Sequence, residues 1–244
     1  MKKLFPFFAI FAFAWMLVGC GPRLAKGPAK SMEMAPPDSL KAKFSIEVND
    51  SEEGSETLSG VLFAVPYKRY RMEFSGPMGV GVASVLWSDT GWTLTVSTQK
   101  TYALGKGNVL GGFAGIPRFD IHQIAGFFWG ESLPRGGSID STREFLISDS
   151  ISLKKIYGSG ASGIPFVAVL NADGRVVEVS QGAERLEFVD YAEFGTVISP
   201  VETRAYRNGE WVMTIRIKKV QTDAEWGSGT WRLPVPQNYQ PLNR

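Results

Sequence analysis

Short segments in which apolar and polar residues alternate recur along this 244-residue chain, and that two-residue period constrains the fold more than any other feature. Residues 41–48 and 92–96 are clear examples. Polar turns separate the segments, and Asn208-Gly209 before residues 211–220 favours a type I′ hairpin turn. We count about ten or eleven such strands. The pattern predicts a mainly β fold, an antiparallel meander large enough to curl into a barrel or half-barrel.

One segment breaks this period and predicts a helix. Ile121, Ile124 and Phe128 recur at the spacing of one helical face. Asp120 precedes them and can cap the helix by accepting a hydrogen bond from a free backbone amide. Gly130 can end it. We therefore expect one short helix within a chain of strands.

The loop that joins residues 70–74 to residues 80–87 contains an unexpected side chain. It carries Pro77, Met78 and Gly79. Proline and glycine set turn geometry, whereas the large apolar side chain of Met78 has no part in forming a turn. Two interpretations stay open, because Met78 either packs back on the barrel or points to something outside.

The N-terminal residues predict export and anchoring. Lys2 and Lys3 precede an apolar stretch, residues 4–18, which is shorter than the roughly 20 residues of a membrane span and fits a secretory signal peptide. Cys20, the only cysteine, follows this stretch after a small residue, a pattern that resembles the lipobox of bacterial lipoproteins. The resemblance implies cleavage before Cys20 and its acylation. An ordinary signal peptide or an uncleaved anchor is the alternative.

These features divide the chain into three parts. Residues 1–19 are a signal peptide, residues 20–39 are a lipid anchor with a flexible proline-rich tether, and residues 40–244 are one domain. In enterobacterial lipoprotein sorting, an Asp just after the cysteine retains the protein at the inner membrane. Gly21 stands there instead. The sequence therefore favours an outer-membrane, lipid-anchored protein that faces the periplasm.

The sequence offers little for catalysis. His122 is the only histidine and Cys20 is taken by the anchor, which excludes a zinc site of His and Cys ligands. The sequence also lacks a Gly-x-Ser-x-Gly elbow and a phosphate-binding loop. We therefore expect no enzyme activity, no metal and no cofactor, while hydrolysis by a pair of the 24 acidic residues stays an open alternative. A net charge of +2 gives no reason to expect nucleic-acid binding.

Apolar side chains of four predicted strands define a candidate interior. Its members are Phe44, Ile46, Leu62, Tyr70, Met72, Phe74, Trp92 and Leu94. Such a set encloses either a filled core or a ligand cavity. The chain has 16 Phe and 7 Trp, more than a filled barrel needs, which favours an apolar ligand site.

Several short motifs between residues 40 and 135 occur together in one known family. They are Tyr70-Arg-Met-Glu-Phe74, the loop with Pro77-Met78-Gly79, the turn before Trp92-Thr-Leu, and Gly115-Ile-Pro117 ahead of the apolar helix. In this order they resemble the LolB family of outer-membrane lipoprotein receptors and its LolA-like relatives. The resemblance implies an incomplete antiparallel β-barrel closed by a short helical lid, here formed by Ile121, Ile124 and Phe128.

The same resemblance implies a function. A LolB-like protein accepts the acyl chains of client lipoproteins from a soluble periplasmic LolA-like carrier and inserts the clients into outer-membrane lipid. Pro77, Met78 and Gly79 match the loop that contacts the membrane in that family. We expect a monomer. Two alternatives stay open: a lipoprotein of the same fold that carries a glycolipid or phospholipid, and a non-catalytic envelope scaffold.

Overall fold

A computed structural model of the chain describes residues 23–24, 35–50, 54–110, 119–134, 136, 138–148, 151–160 and 163–242. The expected signal peptide and the acylation site Cys20 lie outside these ranges, so both stay predictions. Residues 115–117 of the family motif lie outside them as well.

Strands dominate the described ranges. The strands are β1 (Arg23–Leu24), β2 (Leu40–Asp50), β3 (Gly54–Val65), β4 (Arg69–Ser75), β5 (Gly81–Ser88), β6 (Gly91–Val96), β7 (Thr101–Gly105), β8 (Val109–Leu110), β9 (Phe119–Asp120), β10 (Ser138–Ser148), β11 (Ile151–Ser159), β12 (Pro165–Leu170), β13 (Val176–Gln181), β14 (Glu184–Phe194), β15 (Val197–Arg207), β16 (Glu210–Thr222) and β17 (Gln240–Pro241). The helix α1 is Ile121–Gly126, and short 3-10 turns span Pro77–Gly79, Phe127–Trp129 and Ser228–Trp231.

Fifteen of these strands form one open sheet. Its order is β10-β11-β12-β13-β14-β15-β16-β2-β3-β4-β5-β6-β7-β17, with β1 added beside β14. Neighbouring strands run antiparallel except β7 and β17, which are parallel. Among the described strands β10 does not pair with β7 or β17, so the barrel is incomplete. The expected fold class is confirmed, and the sheet holds more strands than the ten or eleven counted from the sequence.

The strand register separates the two faces of the sheet. On β2, the side chains of Ala42 and Phe44 are buried and point to the face that packs against the 3-10 turn Phe127–Trp129, which we call the concave face. Gly60 lies opposite Phe44 on β3, and a Cβ at Gly60 would collide with the Phe44 ring. The absence of a side chain there lets the ring lie flat on the sheet.

The predicted helix is present and begins where expected. The Asp120 side chain accepts hydrogen bonds from the backbone amides of His122, at 2.8 Å, and Gln123, at 3.4 Å. Helix α1 continues into the 3-10 turn, and this helical segment ends at Gly130, whose φ of 84° is left-handed. A Cβ at Gly130 would collide with the Ile198 carbonyl oxygen, so this end of the segment lies directly on β15.

The C-terminal segment covers part of the convex face. The Arg71 guanidinium donates to the carbonyl oxygens of Thr230, at 2.9 Å, and Arg232, at 2.8 Å. The Arg69 guanidinium lies over the Trp231 ring, 4.3 Å from its centroid. Strand β17 then adds to the β7 edge. The segment therefore protects one of the two sheet edges.

An ion-pair ladder crosses the convex face of β15, β16 and β2. Glu202 accepts from Arg204 and Arg216, both at 2.6 Å, and Arg216 also donates to Glu47 at 2.9 Å. Desolvation alone would raise the pKa of Glu202, but the hydrogen bonds from Arg216 and Arg204 hold that pKa below its ordinary value. The ladder marks this face as solvated rather than ligand-binding.

Candidate functional site

All eight residues predicted for the interior lie on the concave face. The register links them across the strands: Leu62 pairs with Met72, and Val85 lies between Met72 and Leu94. Ile46 and Phe74 are partly buried and pack against the core, and the other six are buried. These eight side chains, Phe44, Ile46, Leu62, Tyr70, Met72, Phe74, Trp92 and Leu94, therefore form one continuous apolar surface, which we call the floor.

The segment 121–129, which we call the plug, lies on this floor. The predicted lid residues Ile121, Ile124 and Phe128 are 0%, 8% and 0% exposed. The Phe128 ring lies 5.0 Å from the ring of Phe44, measured between centroids. Phe127 and Trp129 are buried as well. The plug thus covers the interior from within the half-barrel, with its aromatic side chains in contact with the floor.

The space left beside the plug is small. A recess of about 50 Å³ opens between the plug and strands β13 to β16. It is lined by Gln123, Ile124, Phe127, Val179, Gln181, Glu184, Leu186, Ala205, Tyr206, Arg207, Val212 and Met213. Ligand pockets commonly measure about 300–1,000 Å³, so this recess by itself is smaller than a typical ligand site. None of the eight floor residues lines this recess.

Hydrogen bonds fasten the plug to the turn between β3 and β4. The Tyr67 hydroxyl donates to Glu131 Oε2 at 2.7 Å, and Trp129 Nε1 donates to the same oxygen at 3.1 Å. The Tyr70 hydroxyl lies 2.9 Å from His122 Nδ1. We call these five residues the latch. It joins both ends of the plug to one corner of the sheet.

The Tyr70 hydroxyl links the two parts of the latch. It accepts the Tyr67 backbone N–H at 2.7 Å and lies 2.9 Å from His122 Nδ1. The His122 ring packs edge-on against Trp87, with centroids 4.5 Å apart. His122 is the only histidine in the sequence, and no local spacing signals a contact that spans about 50 residues of sequence.

A second fastening lies just after the plug. The Tyr191 hydroxyl donates to the Val176 carbonyl oxygen at 2.6 Å and lies 3.1 Å from Ser132 Oγ. Burial raises the pKa of Tyr191 to about 12, against the smaller lowering effects of the Ser132 hydrogen bond and the nearby Arg175 charge. Tyr191 is therefore neutral at physiological pH, and its hydroxyl links β14 to β13 and to Ser132, just after the plug.

The loop with Met78 projects away from the sheet. Met78 is 98% exposed and adopts φ 60° and ψ 15°, a left-handed conformation unusual for a side-chain-bearing residue. Hydrogen bonds from Gly76 N to Val80 O, at 2.9 Å, and from Gly79 N to Gly76 O, at 3.2 Å, hold the turn closed. Met78 therefore does not pack back on the barrel, which was one of the two interpretations from the sequence.

Other exposed apolar side chains share this end of the sheet. Val80 is 59% exposed beside Met78. Ile139, at the start of β10, and Ile164, in the turn before β12, are 58% and 48% exposed. The antiparallel pairing places the β4–β5, β11–β12 and β15–β16 turns at the same end of the strands. The recess beside the plug lies near this end too, because Gln181, Glu184 and Arg207 border it.

Two searches of the described residues bear on the kind of site present. Within these residues, no three His, Cys, Asp or Glu side chains gather in a way that could hold a metal ion. Within the same ranges, no helix combines the length and apolar character needed to cross a bilayer. The candidate site is therefore the apolar floor with the plug packed on it.

The fold and site define a class, an open antiparallel half-barrel whose apolar floor is covered by an internal helical plug. No known protein family matches the sequence, and no curated protein matches it. Solved structures do match the fold. They include a DUF1329-family protein from Desulfovibrio piger, with TM-score 0.58 and 9% identity over 80% of this chain and 90% of that one.

Two further matches relate the fold to the expected superfamily. A LolA-superfamily protein from Nitrosomonas europaea has a TM-score of 0.57 and 8% identity, over 82% of this chain and 92% of its own. A putative outer-membrane lipoprotein-sorting protein domain from Vibrio parahaemolyticus has a TM-score of 0.56 and 13% identity, over 79% and 88%. This chain therefore has the fold of LolA-superfamily and lipoprotein-sorting proteins.

Proposed function

We propose that this protein is a LolB-like acceptor that binds acyl chains of client lipoproteins and passes them to the outer membrane. The observation that carries the proposal is the combination of a continuous apolar floor, a helical plug packed on it and an exposed apolar tip. The floor and plug are both buried, while Met78 is 98% exposed on a closed turn. The protein makes and breaks no covalent bond in this role.

Acyl binding is proposed to replace the plug on the floor. The apolar side chains of the plug and an acyl chain are alternative partners for the same surface, and each buried methylene contributes roughly 0.8 kcal/mol. A chain of many methylenes can offset the loss of plug contacts with Phe44 and its neighbours. The latch opposes this exchange, because opening breaks the hydrogen bond between the Tyr67 hydroxyl and the Glu131 carboxylate. The latch therefore sets how readily a client enters.

Delivery is proposed to depend on the Met78 turn. An exposed apolar tip on a rigid turn can enter a bilayer surface while the acyl chains leave the floor, and methionine adapts to irregular apolar surroundings. The acylated Cys20 would hold the domain at the outer membrane, facing the periplasm. A soluble LolA-like carrier would supply the clients. These assignments follow from the family resemblance and the shared fold.

Met78→Glu tests the membrane step. We expect this variant to fold and to bind a client lipopeptide within about twofold of the unmodified chain, because Met78 touches no floor residue, and to lose transfer to liposomes. Leu104→Glu is the matched control, since Leu104 is also exposed, at 57%, but lies outside the tip. Transfer by Met78→Glu at the normal rate would contradict the role of the turn.

The burial of the plug on the floor favours a second candidate function, that of a scaffold. If the plug never leaves the floor, the protein is a non-catalytic scaffold of the envelope. A lipopeptide carrying a photoreactive group in its acyl chain separates the two functions. The acceptor function predicts labelling of Phe44, Met72 and Leu94, whereas a scaffold shows none. The lipids that co-purify with the chain, identified by mass spectrometry, would show whether the cargo is instead a glycolipid or phospholipid.

A further inference from the structure

The sheet splits between β13 and β14. Strand β13 pairs with β14 only over residues 184–187. Strand β15 pairs with the other edge of β14 along its whole length. Residues 188–194 therefore have an edge that β13 does not use. The Tyr191 hydroxyl crosses this split to reach the Val176 carbonyl oxygen at 2.6 Å.

The N-terminal segment of the chain itself lies in the split. Strand β1 pairs antiparallel with β14, with Arg23 opposite Glu193 and Leu24 opposite Ala192. Because β15 occupies the other edge at these residues, β1 must lie on the side of β13. Arg23 is the third residue after Cys20. The segment just after the expected acylation site is thus bound as an added strand, inside what the sequence suggested to be a flexible tether.

We infer that this edge of β14 is a docking site for the extended polypeptide that follows the acylated cysteine of a client lipoprotein, and that β1 occupies it in cis. The identity of the client rests on the proposed function. Main-chain hydrogen bonds to a sheet edge tolerate many side chains. That tolerance suits clients that share an acylated cysteine without sharing the sequence after it.

The split lies beside the segment that follows the plug. Ser132, just after the plug, lies 3.1 Å from the Tyr191 hydroxyl. The end of the plug at Gly130 lies against Ile198, and Ile198 pairs with Glu193. A client whose acyl chains replace the plug on the floor therefore has its cysteine beside the edge of β14. The same strand can hold the polypeptide that leaves the floor.

The test uses the full chain in lipid nanodiscs and two probes. The probes are peptides with the sequence of residues 20–30, with and without acyl chains on the cysteine, and with a photoreactive group at the position of Leu24. Leu24→Pro in the protein removes a backbone donor and frees the edge. Ala35→Pro is the matched control, because it alters the tether outside β1. Both variants are compared with the unmodified chain.

We expect the peptide without acyl chains to bind Leu24→Pro about tenfold or more tightly than the unmodified chain or Ala35→Pro, since a tethered competitor acts at millimolar effective concentration. Crosslinks should fall on residues 188–194. Glu193→Arg should weaken binding about two- to fivefold, and Arg23→Glu in the peptide should restore it, as for a cross-strand charge pair. Faster amide exchange confined to residues 192–193 would show that Leu24→Pro leaves the domain folded.

The outcomes separate this inference from the proposed function. If only the acylated peptide binds and its crosslinks avoid β14, the docking site is overturned and the acceptor function stands. If the peptide without acyl chains binds at residues 188–194 but acyl photoprobes never label the floor, the docking site stands and the acceptor function falls. Equal affinity for Leu24→Pro and the unmodified chain would overturn the inference.

Discussion

We expect the latch to limit how often the plug opens, and Tyr67→Phe tests this expectation. The variant removes the hydroxyl that donates to Glu131 Oε2 at 2.7 Å while keeping the aromatic ring, which packs edge-on against Trp129 with centroids 5.8 Å apart. A hydrogen bond to a charged group contributes about 1.5–3 kcal/mol. Since about 1.4 kcal/mol corresponds to a factor of ten in an equilibrium constant, the open population should rise roughly 10- to 150-fold.

Hydrogen–deuterium exchange of residues 121–129 measures that population, because these amides exchange when the plug opens. We expect faster exchange in the plug and little change in β2 to β4. Tyr102→Phe is the matched control, since no hydrogen bond of the Tyr102 hydroxyl is found among the described residues. The rate of acyl photolabelling should rise with the open population. Equal acceleration across plug and strands would refute a separate opening step and assign the latch to global stability.

Three further predictions concern contacts outside the latch. Ser199→Ala should be neutral or slightly stabilising in denaturant melts, because Ser199 Oγ is buried without a hydrogen-bond partner among the described residues, and a loss above about 1 kcal/mol would contradict that. Burial raises the pKa of Tyr191 to about 12, so the stability that this group contributes is complete below about pH 10 and is lost as pH rises toward 12. The loss is on the order of 3 kcal/mol across that window, and Tyr191→Phe should flatten the alkaline part of a melting-against-pH curve. Arg71→Ala should lower the free energy of unfolding by about 2 kcal/mol or more, because it leaves the Thr230 and Arg232 carbonyl oxygens without their donor. Limited proteolysis after residue 225 should become faster, and a protease-resistant C-terminal segment would contradict this prediction.

The sequence predicted the floor and the plug because both rest on local periods. Phe44, Met72 and Leu94 alternate with polar neighbours, and that two-residue period assigns each of them to the apolar face of its own strand. Ile121 and Phe128 follow the helical period, and Asp120 caps the helix as its position suggested. Neither period records whether the space between two apolar faces is open. The fit of the plug on the floor depends on the curvature of the whole sheet.

The latch and the split of the sheet could not be predicted from the sequence, because neither depends on a local period. Tyr67 and Glu131 are separated by 64 residues, and their contact exists only because β3, β4 and the plug meet at one corner. Strand β1 is two residues long, too short for any period to be read. Met78 is the opposite case. Its exposure was foreseen as one of two options because a turn of Pro and Gly leaves a large apolar side chain few places to go.

The place of β1 bears on how the Met78 turn can reach a membrane. Strand β1 pairs near the β14–β15 turn, at the end of the strands opposite the β4–β5 turn that carries Met78. Strand β1 and the Met78 tip therefore lie at opposite ends of the strands. A chain spans at most about 3.3–3.6 Å per residue, so a released tether of about 20 residues can reach about twice the length of an 11-residue strand. Displacement of β1 by a client polypeptide would therefore free the domain to turn its tip toward the anchoring membrane at the moment when it carries cargo.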